Sequence, residues 1–299
     1  MTSIAVLGAG GVGGFLAAAL ARAGDEVTVV AREPTAEVLA ERGLQVRSRL
    51  LGDFHADPAV VTSLPGDPDV LLVATKADGL AHGLARIAGT PGLVVPLLNG
   101  IEHLAVLRDR FGAERVPAAV IRIESDRPAT GVIEQTSPTV RIDVAAERAE
   151  LAARLPTLAD VLRRGGIEVR VEAREADVMW SKLARLCTLA LTTSAADRTI
   201  GAVRADPRWR SAMEGAVAEV ITVARAEGAH LRAAQTLAEL DGAPEALSSS
   251  MRRDLAAGRP PELDAIAGAV LRAGRRHDLR CPTVQWLTER VAVRASTGS

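Results

Sequence analysis

The chain opens with short apolar runs separated by polar turns, and it ends in long stretches with helical spacing. Ile4-Ala5-Val6-Leu7 is an apolar run that flows into glycines, and it reads as a buried strand. Gly11 to Ala23 is rich in small residues, as a helix packed closely on that strand would be. Gly24-Asp25 turns the chain, and Val27-Thr28-Val29-Val30 reads as a second strand, which completes a βαβ unit. Pro34 to Arg42 predicts the next helix, with proline near its start. Further strands are expected at Val70–Val73, Leu93–Leu98, Val116–Ile123, Val132–Gln135, Val140–Ile142 and Glu168–Val171, with a helix at Ala149–Arg164.

After about residue 172 the strand-like runs stop. Helices are expected at Ala176–Leu191, Arg208–Glu227, Arg232–Leu240, Ser248–Ala256, Glu262–Ala273 and Val284–Val293, and the tail past Arg294 reads as frayed. The expected fold class is an α/β N-terminal Rossmann domain with a mostly parallel sheet, followed by an all-α C-terminal domain. The boundaries are 1–172 for the α/β domain and 173–299 for the helical domain.

Between the first strand and first helix lies Gly8-Ala9-Gly10-Gly11-Val12-Gly13. Gly-x-Gly-x-x-Gly is a weak signal alone, but here it leaves a strand and opens a helix inside a βαβ unit. Gly8 permits the tight turn, Gly10 lets the backbone approach a pyrophosphate, and Gly13 lets helix and strand pack closely. The free N–H groups and positive end of the helix suit phosphate. The second strand ends Val30-Ala31-Arg32 rather than on the acid that would hold a ribose 2′-hydroxyl. Arg32 can pair with a 2′-phosphate, so NADP(H) is the expected cofactor. Glu33 complicates this reading unless it belongs to the following helix.

Composition sharpens the choice of candidate residues. Of 36 basic residues only Lys76 and Lys182 are lysine, Asn99 is the sole asparagine, and there is no tyrosine. Such a bias exchanges lysine for arginine wherever either serves, so a retained lysine suggests a role that needs a transferable proton. Lys76 and Asn99 both follow predicted strands, at the edge of the sheet where ligands bind. Net charge is −1, which gives no bulk attraction to nucleic acid or anionic lipid. No run approaches a membrane span. The first apolar run lacks a basic flank and a cleavage pattern, so no signal peptide is expected. Cys187 and Cys281 offer neither a disulfide framework nor a metal cluster, and a reducing cytoplasm is expected. The five histidines show no metal spacing and read as surface or loop residues, while Cys187, Trp180 and Trp209 read as packing residues.

Taken in order, several pieces make the chain similar to the ketopantoate reductase (2-dehydropantoate 2-reductase) family. They are the Gly8–Gly13 turn, Arg32, Thr75-Lys76-Ala77, Leu98-Asn99-Gly100, Trp180-x-Lys182-Leu183, Ser249-Ser250-Met251-x-x-Asp254 and Glu262-Leu263-Asp264. The resemblance implies a Rossmann domain joined to a helical domain, with the active site in the cleft between them. It implies hydride transfer from NADPH to a 2-keto acid, a small-molecule carbonyl substrate. It assigns Lys182 as proton donor, and Glu262 as a carboxylate contacting the lysine or the cofactor ribose. Asn99 would bridge nicotinamide and substrate, Ser250 would bind substrate, and Lys76 would sit near the cofactor. A homodimer is open to such a chain. The residue types suit this chemistry, because an alkoxide formed by hydride addition needs a nearby acid.

The chain also departs from the family. Asparagines usually stand one and two turns beyond the lysine, where this sequence has Leu186 and Ala190. Losing two amides that would bind a polar substrate costs roughly 1 kcal/mol or more each. Thr188, Thr192 and Thr193 are nearby polar candidates at other positions. The expected substrate is therefore ketopantoate or a less polar ketone or imine, and a non-catalytic NADP(H) sensor is the alternative from another class.

Overall fold

The computed structural model describes residues 2–297. They form two compact units. The first comprises the chain through Leu98 together with His103–Val178, and the second comprises Asn99–Glu102 together with the chain from Met179 onward.

The strands of the first unit are β1 (Ser3–Leu7), β2 (Glu26–Val30), β3 (Leu44–Ser48), β4 (Phe54–Ala56), β5 (Ala59–Val61), β6 (Val70–Val73), β7 (Leu93–Pro96), β8 (Ala118–Arg122), β9 (Ser125–Ala129), β10 (Val132–Gln135), β11 (Arg141–Ala145) and β12 (Glu168–Glu172). A five-stranded sheet in the order β5-β2-β1-β6-β7 is parallel throughout. Its central strands are buried on both faces, which explains their unbroken apolar runs. The order reverses on either side of β1, and such a switch point is where open α/β sheets bind ligands. α1 (Gly11–Arg22) covers the sheet, with Phe15 through Leu20 almost fully buried.

Two mixed sheets complete this unit, β4-β3-β10-β9 and β12-β11-β8. The expected strands after residue 115 therefore do not extend the parallel sheet. β3, β4, β5 and β9 were not expected from the sequence. β4 and β5 are three-residue strands, too short for a periodic signal. β9 is Ser-Asp-Arg-Pro-Ala, a polar and mostly exposed strand with no apolar face to announce it. β3 does alternate buried and exposed residues, but over five positions only.

The other helices of this unit are α2 (Glu33–Arg42), α3 (Leu80–Leu84), α4 (His103–Phe111), α5 (Ala149–Ala152) and α6 (Leu155–Arg164). Glu33 is the first residue of α2, so it belongs to the helix and complements its positive end. The single helix expected at 149–164 is two, because Pro156 has no N–H to continue an earlier turn and instead sits in the first turn of α6. His103 was expected at the surface, yet it is buried at the start of α4.

The second unit is helical. α7 (Glu175–Ala196) begins in the first unit and runs into the second, followed by α8 (Ile200–Ala205), α9 (Pro207–Ala226), α10 (Ala233–Asp241) and α11 (Ser250–Ala256). A π-helical turn at Asp264–Gly268 leads into α12 (Ala269–Arg276), and α13 (Pro282–Thr297) closes the chain. α8 was missed because six residues carry little periodicity. The tail expected to fray past Arg294 stays helical to Thr297. Asp197 adopts a left-handed conformation at the end of α7. Its carboxylate meets Arg252 at 2.9 Å and Arg294 at 2.8 Å, which ties three helices together. Trp209 stacks on Trp286 with ring centroids 5.8 Å apart, packing α9 on α13. No helix among the described residues is long and apolar enough to cross a membrane.

Candidate active site

The glycine turn leaves β1 at the switch point of the parallel sheet. Gly8 has φ +103°, a conformation that favours glycine, and its N–H donates to the Val30 carbonyl at 3.1 Å. A Cβ on Gly13 would run into the backbone carbonyl oxygen of Gly8, so helix and turn can approach this closely only without a side chain. A Cβ on Gly10 would meet no protein atom within 4 Å. That open face is the approach a pyrophosphate needs, and the residues present fit such a group. Gly14 N–H is the first to find a helical carbonyl, Gly10 O at 2.8 Å. Helix geometry leaves the N–H groups of Gly11, Val12 and Gly13 directed outward, beside Ala9.

β9 contributes residues to this turn that the sequence did not announce. Ser125 Oγ donates to the Gly11 carbonyl at 2.8 Å, and a Cβ on Gly11 would lie 2.5 Å from the Ser125 carbonyl oxygen. The guanidinium of Arg127 reaches the Ala9 carbonyl at 3.5 Å, which brings a positive charge to the turn. Only the pairing of β9 with β10 places them there, and no local pattern signals it. Arg32 is exposed and immediately precedes α2, two residues past β2. Lys76 is exposed just past β6, at the start of a short 3₁₀ turn. Both lie past the carboxyl ends of strands in the sheet that carries the glycine turn.

In the second unit three residues distant in sequence meet. Lys182 Nζ donates to Asn99 Oδ1 at 2.9 Å, and Asn99 Nδ2 donates to Glu262 Oε2 at 2.9 Å. An ammonium can only donate and a carboxylate can only accept, so the amide orientation is fixed by its neighbours. Asn99 thus relays between a cation and an anion, which neither aspartate nor a basic residue could do. All three side chains are part-buried, so solvent screens them less than surface groups. Asn99 sits in the Asn99–Glu102 segment, where Gly100 has φ +83° and no room for a Cβ against the Ala265 carbonyl.

Ser250 is exposed in the first turn of α11, outside the hydrogen-bonded series of Lys182, Asn99 and Glu262. Its neighbour Ser249 is buried, caps α11 through Arg252 N–H at 3.1 Å, and shares a 2.8 Å hydrogen bond with Thr193. Thr192 and Thr193 donate their hydroxyls to carbonyls one turn back, at 2.7 and 2.6 Å. These threonines are therefore engaged within the helix core. Leu186 is half-buried and Ala190 is fully buried, and both follow Lys182 at whole-turn spacing. Cys187 is fully buried, and burial pushes its thiol up to about 12, which suits packing rather than nucleophilic chemistry. No group of three or more metal-ligating side chains occurs among the described residues.

Comparison with known proteins identifies the family of the chain. The family model described as "Ketopantoate reductase PanE/ApbA" matches residues 4–147, and its C-terminal counterpart matches residues 176–295. A 2-dehydropantoate 2-reductase of Caulobacter vibrioides is 32% identical over 291 residues, covering 94% of this chain and 95% of that protein. The crystal structure of a 2-dehydropantoate 2-reductase from Geobacter metallireducens matches with TM-score 0.87 at 26% identity, over 97% of this chain and 98% of that one. D-mandelate dehydrogenase, solved with NADH and anilino(oxo)acetate, shares the fold with TM-score 0.90 at 21% identity, over 99% of each chain. The chain belongs to the ketopantoate reductase family and is an oxidoreductase acting on CH–OH groups with a nicotinamide cofactor.

Proposed function

We propose that the chain reduces the carbonyl of a 2-keto acid with NADPH, using Lys182 as proton donor. In this reading residues 1–172 hold the dinucleotide and residues 173–299 supply the substrate side of the chemistry. The observation that carries it is the hydrogen-bonded series Lys182–Asn99–Glu262. The Gly8–Gly13 turn would hold the pyrophosphate of the dinucleotide, whose reduced nicotinamide would supply the hydride. The Lys182 ammonium then stabilises the alkoxide left on the substrate oxygen and gives it a proton. Asn99 holds that ammonium through its carbonyl oxygen and turns its Nδ2 to Glu262. Glu262 provides the negative charge behind the amide, which favours the protonated lysine before transfer. Ser250 is assigned to the substrate, and Lys76 to the cofactor. A dimeric relative from Staphylococcus aureus fits a homodimer as the assembly.

Arg32 is assigned to the 2′-phosphate. Replacing it with alanine should weaken NADPH binding about tenfold or more, the scale of a charge-assisted hydrogen bond, and leave NADH binding nearly unchanged. Fluorescence titration with both nucleotides measures this, and a wild-type preference for NADH would overturn the assignment.

Leu186 and Ala190 favour a substrate less polar than ketopantoate, because neither offers a hydrogen bond to a substrate hydroxyl. NADPH oxidation should be faster with 2-keto acids bearing alkyl or aryl side chains than with ketopantoate, by tenfold or more in kcat/KM. Efficient turnover of ketopantoate at micromolar concentration would sink this preference. Tight NADPH binding without turnover of any ketone or imine would replace the whole reading with that of a sensor.

A further inference from the structure

The Lys182–Asn99–Glu262 series depends on a loop residue. Lys182 is held by a long helix, whereas Asn99 sits in a bend between β7 and α4. The structure shows a clamp on that segment. Arg272 on α12 meets Glu102 with two parallel bonds, Nε to Oε1 at 2.8 Å and Nη2 to Oε2 at 2.7 Å. The same guanidinium donates Nη1 to Asp264 Oδ1 at 2.6 Å, and Nη2 reaches both Oδ2 and the backbone carbonyl of Asp264 at 3.2 Å. Asp264 lies two residues after Glu262. One guanidinium therefore grips the segment carrying Asn99 and the segment carrying Glu262.

The π-helical turn makes this grip geometrically possible. Asp264 and Arg272 are eight residues apart. In an uninterrupted α-helix that spacing leaves roughly 80° between side chains. The Ala269 N–H instead donates to the Asp264 carbonyl, an i to i−5 bond that adds a residue to the turn. Eight residues then close about two turns, and both side chains share one face. Gly268 lies between them, and a Cβ there would run into Asp264 Oδ1 and come within 3.0 Å of Arg272 Nη1.

We propose that Arg272 is a positioning residue, which fixes the Asn99 amide between Lys182 and Glu262 by holding Glu102 and Asp264 together. The inference rests on the proton-donor role given to Lys182. The partners of Arg272 are exposed, with Glu102 at 44% and Asp264 at 83% side-chain exposure. Such pairs contribute little to stability, so the clamp acts through geometry. Besides Glu262, Glu102, Asp264 and Arg272, α7 carries Glu175, Asp177 and Arg185, the last facing Glu239 at 3.9 Å, and α12 carries Arg275 and Arg276.

The chain has only two lysines, so ¹³Cε-lysine labelling gives two NMR signals, and Lys76→Arg assigns them. In Arg272→Ala the Lys182 signal should titrate at lower pH than in wild type, because its ammonium loses an ordered acceptor. In the same variant kcat should fall roughly 10- to 100-fold, the scale of an ångström-sized misplacement, with the NADPH dissociation constant within about threefold. Arg272→Lys keeps the charge without the fork and should recover part of kcat. Should Arg272→Ala fail to fold, Glu102→Gln removes the ion pair at constant size and should move both readouts in the same direction. Wild-type kcat and an unchanged Lys182 titration in folded variants would overturn the proposal, as would a lower Tm with unchanged kcat. If wild type reduces no carbonyl, the functional reading fails, while the lysine titration still decides whether the clamp orders Asn99.

Discussion

Replacing Lys182 with alanine is expected to lower kcat by about 10²- to 10⁴-fold, the range of a positioned general acid, and to leave NADPH binding within a few-fold of wild type. The reason lies in the separate placement of the two tasks. The pyrophosphate is assigned to backbone groups of the Gly8–Gly13 turn, in the first unit, and Lys182 belongs to the second. Removing the ammonium leaves the turn untouched. It takes away the group that stabilises the alkoxide and supplies its proton, and it strands the Asn99 carbonyl that accepts from it at 2.9 Å. Lys182→Arg keeps the charge but should rescue little, since a guanidinium does not give up its proton near neutral pH. Steady-state kinetics on the best keto acid, paired with NADPH titration by fluorescence, measures both quantities. Full kcat in Lys182→Ala would remove the lysine from the mechanism.

The second large effect separates two glycines of one turn. Gly13→Ala should destabilise the fold by roughly 2–3 kcal/mol or more, because overpacking against rigid backbone has no cheap relief. The added Cβ runs into the Gly8 carbonyl, and Ala74 Cβ lies 3.1 Å away on another side. Gly10→Ala should behave differently. Gly10 has φ −79° and ψ −170°, which alanine adopts without strain, and its Cβ would meet no protein atom. This variant should melt near the wild-type temperature while binding NADPH at least tenfold more weakly, since the methyl group takes the space assigned to the pyrophosphate. Thermal melts and NADPH titration of the two variants test the contrast. Equal Tm values for both, or unimpaired NADPH binding in Gly10→Ala, would contradict the role given to each glycine.

The parallel sheet was legible because β1, β6 and β7 are buried on both faces, and double burial writes an unbroken apolar run. The long helices were legible because one buried stripe repeats every three to four residues over many turns. β4, β5, β9 and α8 were not, since they are short and take their order from neighbours. His103 defied its polarity in the same way: its burial comes from tertiary packing rather than from flanking residues.

The glycine turn, Arg32, the two lysines and the sole asparagine stood out by sequence alone, because their signals are local: a spacing, a strand end, a compositional rarity. The ketopantoate reductase family followed from the order of short motifs along the chain, and the two-part α/β then all-α architecture from the change of hydrophobic pattern after about residue 172. Tertiary structure decided what distance in sequence conceals. It joined Asn99 to Lys182 and Glu262, brought Ser125 and Arg127 to the glycine turn through a polar strand, and set Arg272 on both Glu102 and Asp264. Hydrogen bonds between remote segments leave no periodic trace in the chain, and a single π-helical turn, which rotates every later residue of its helix, leaves none either.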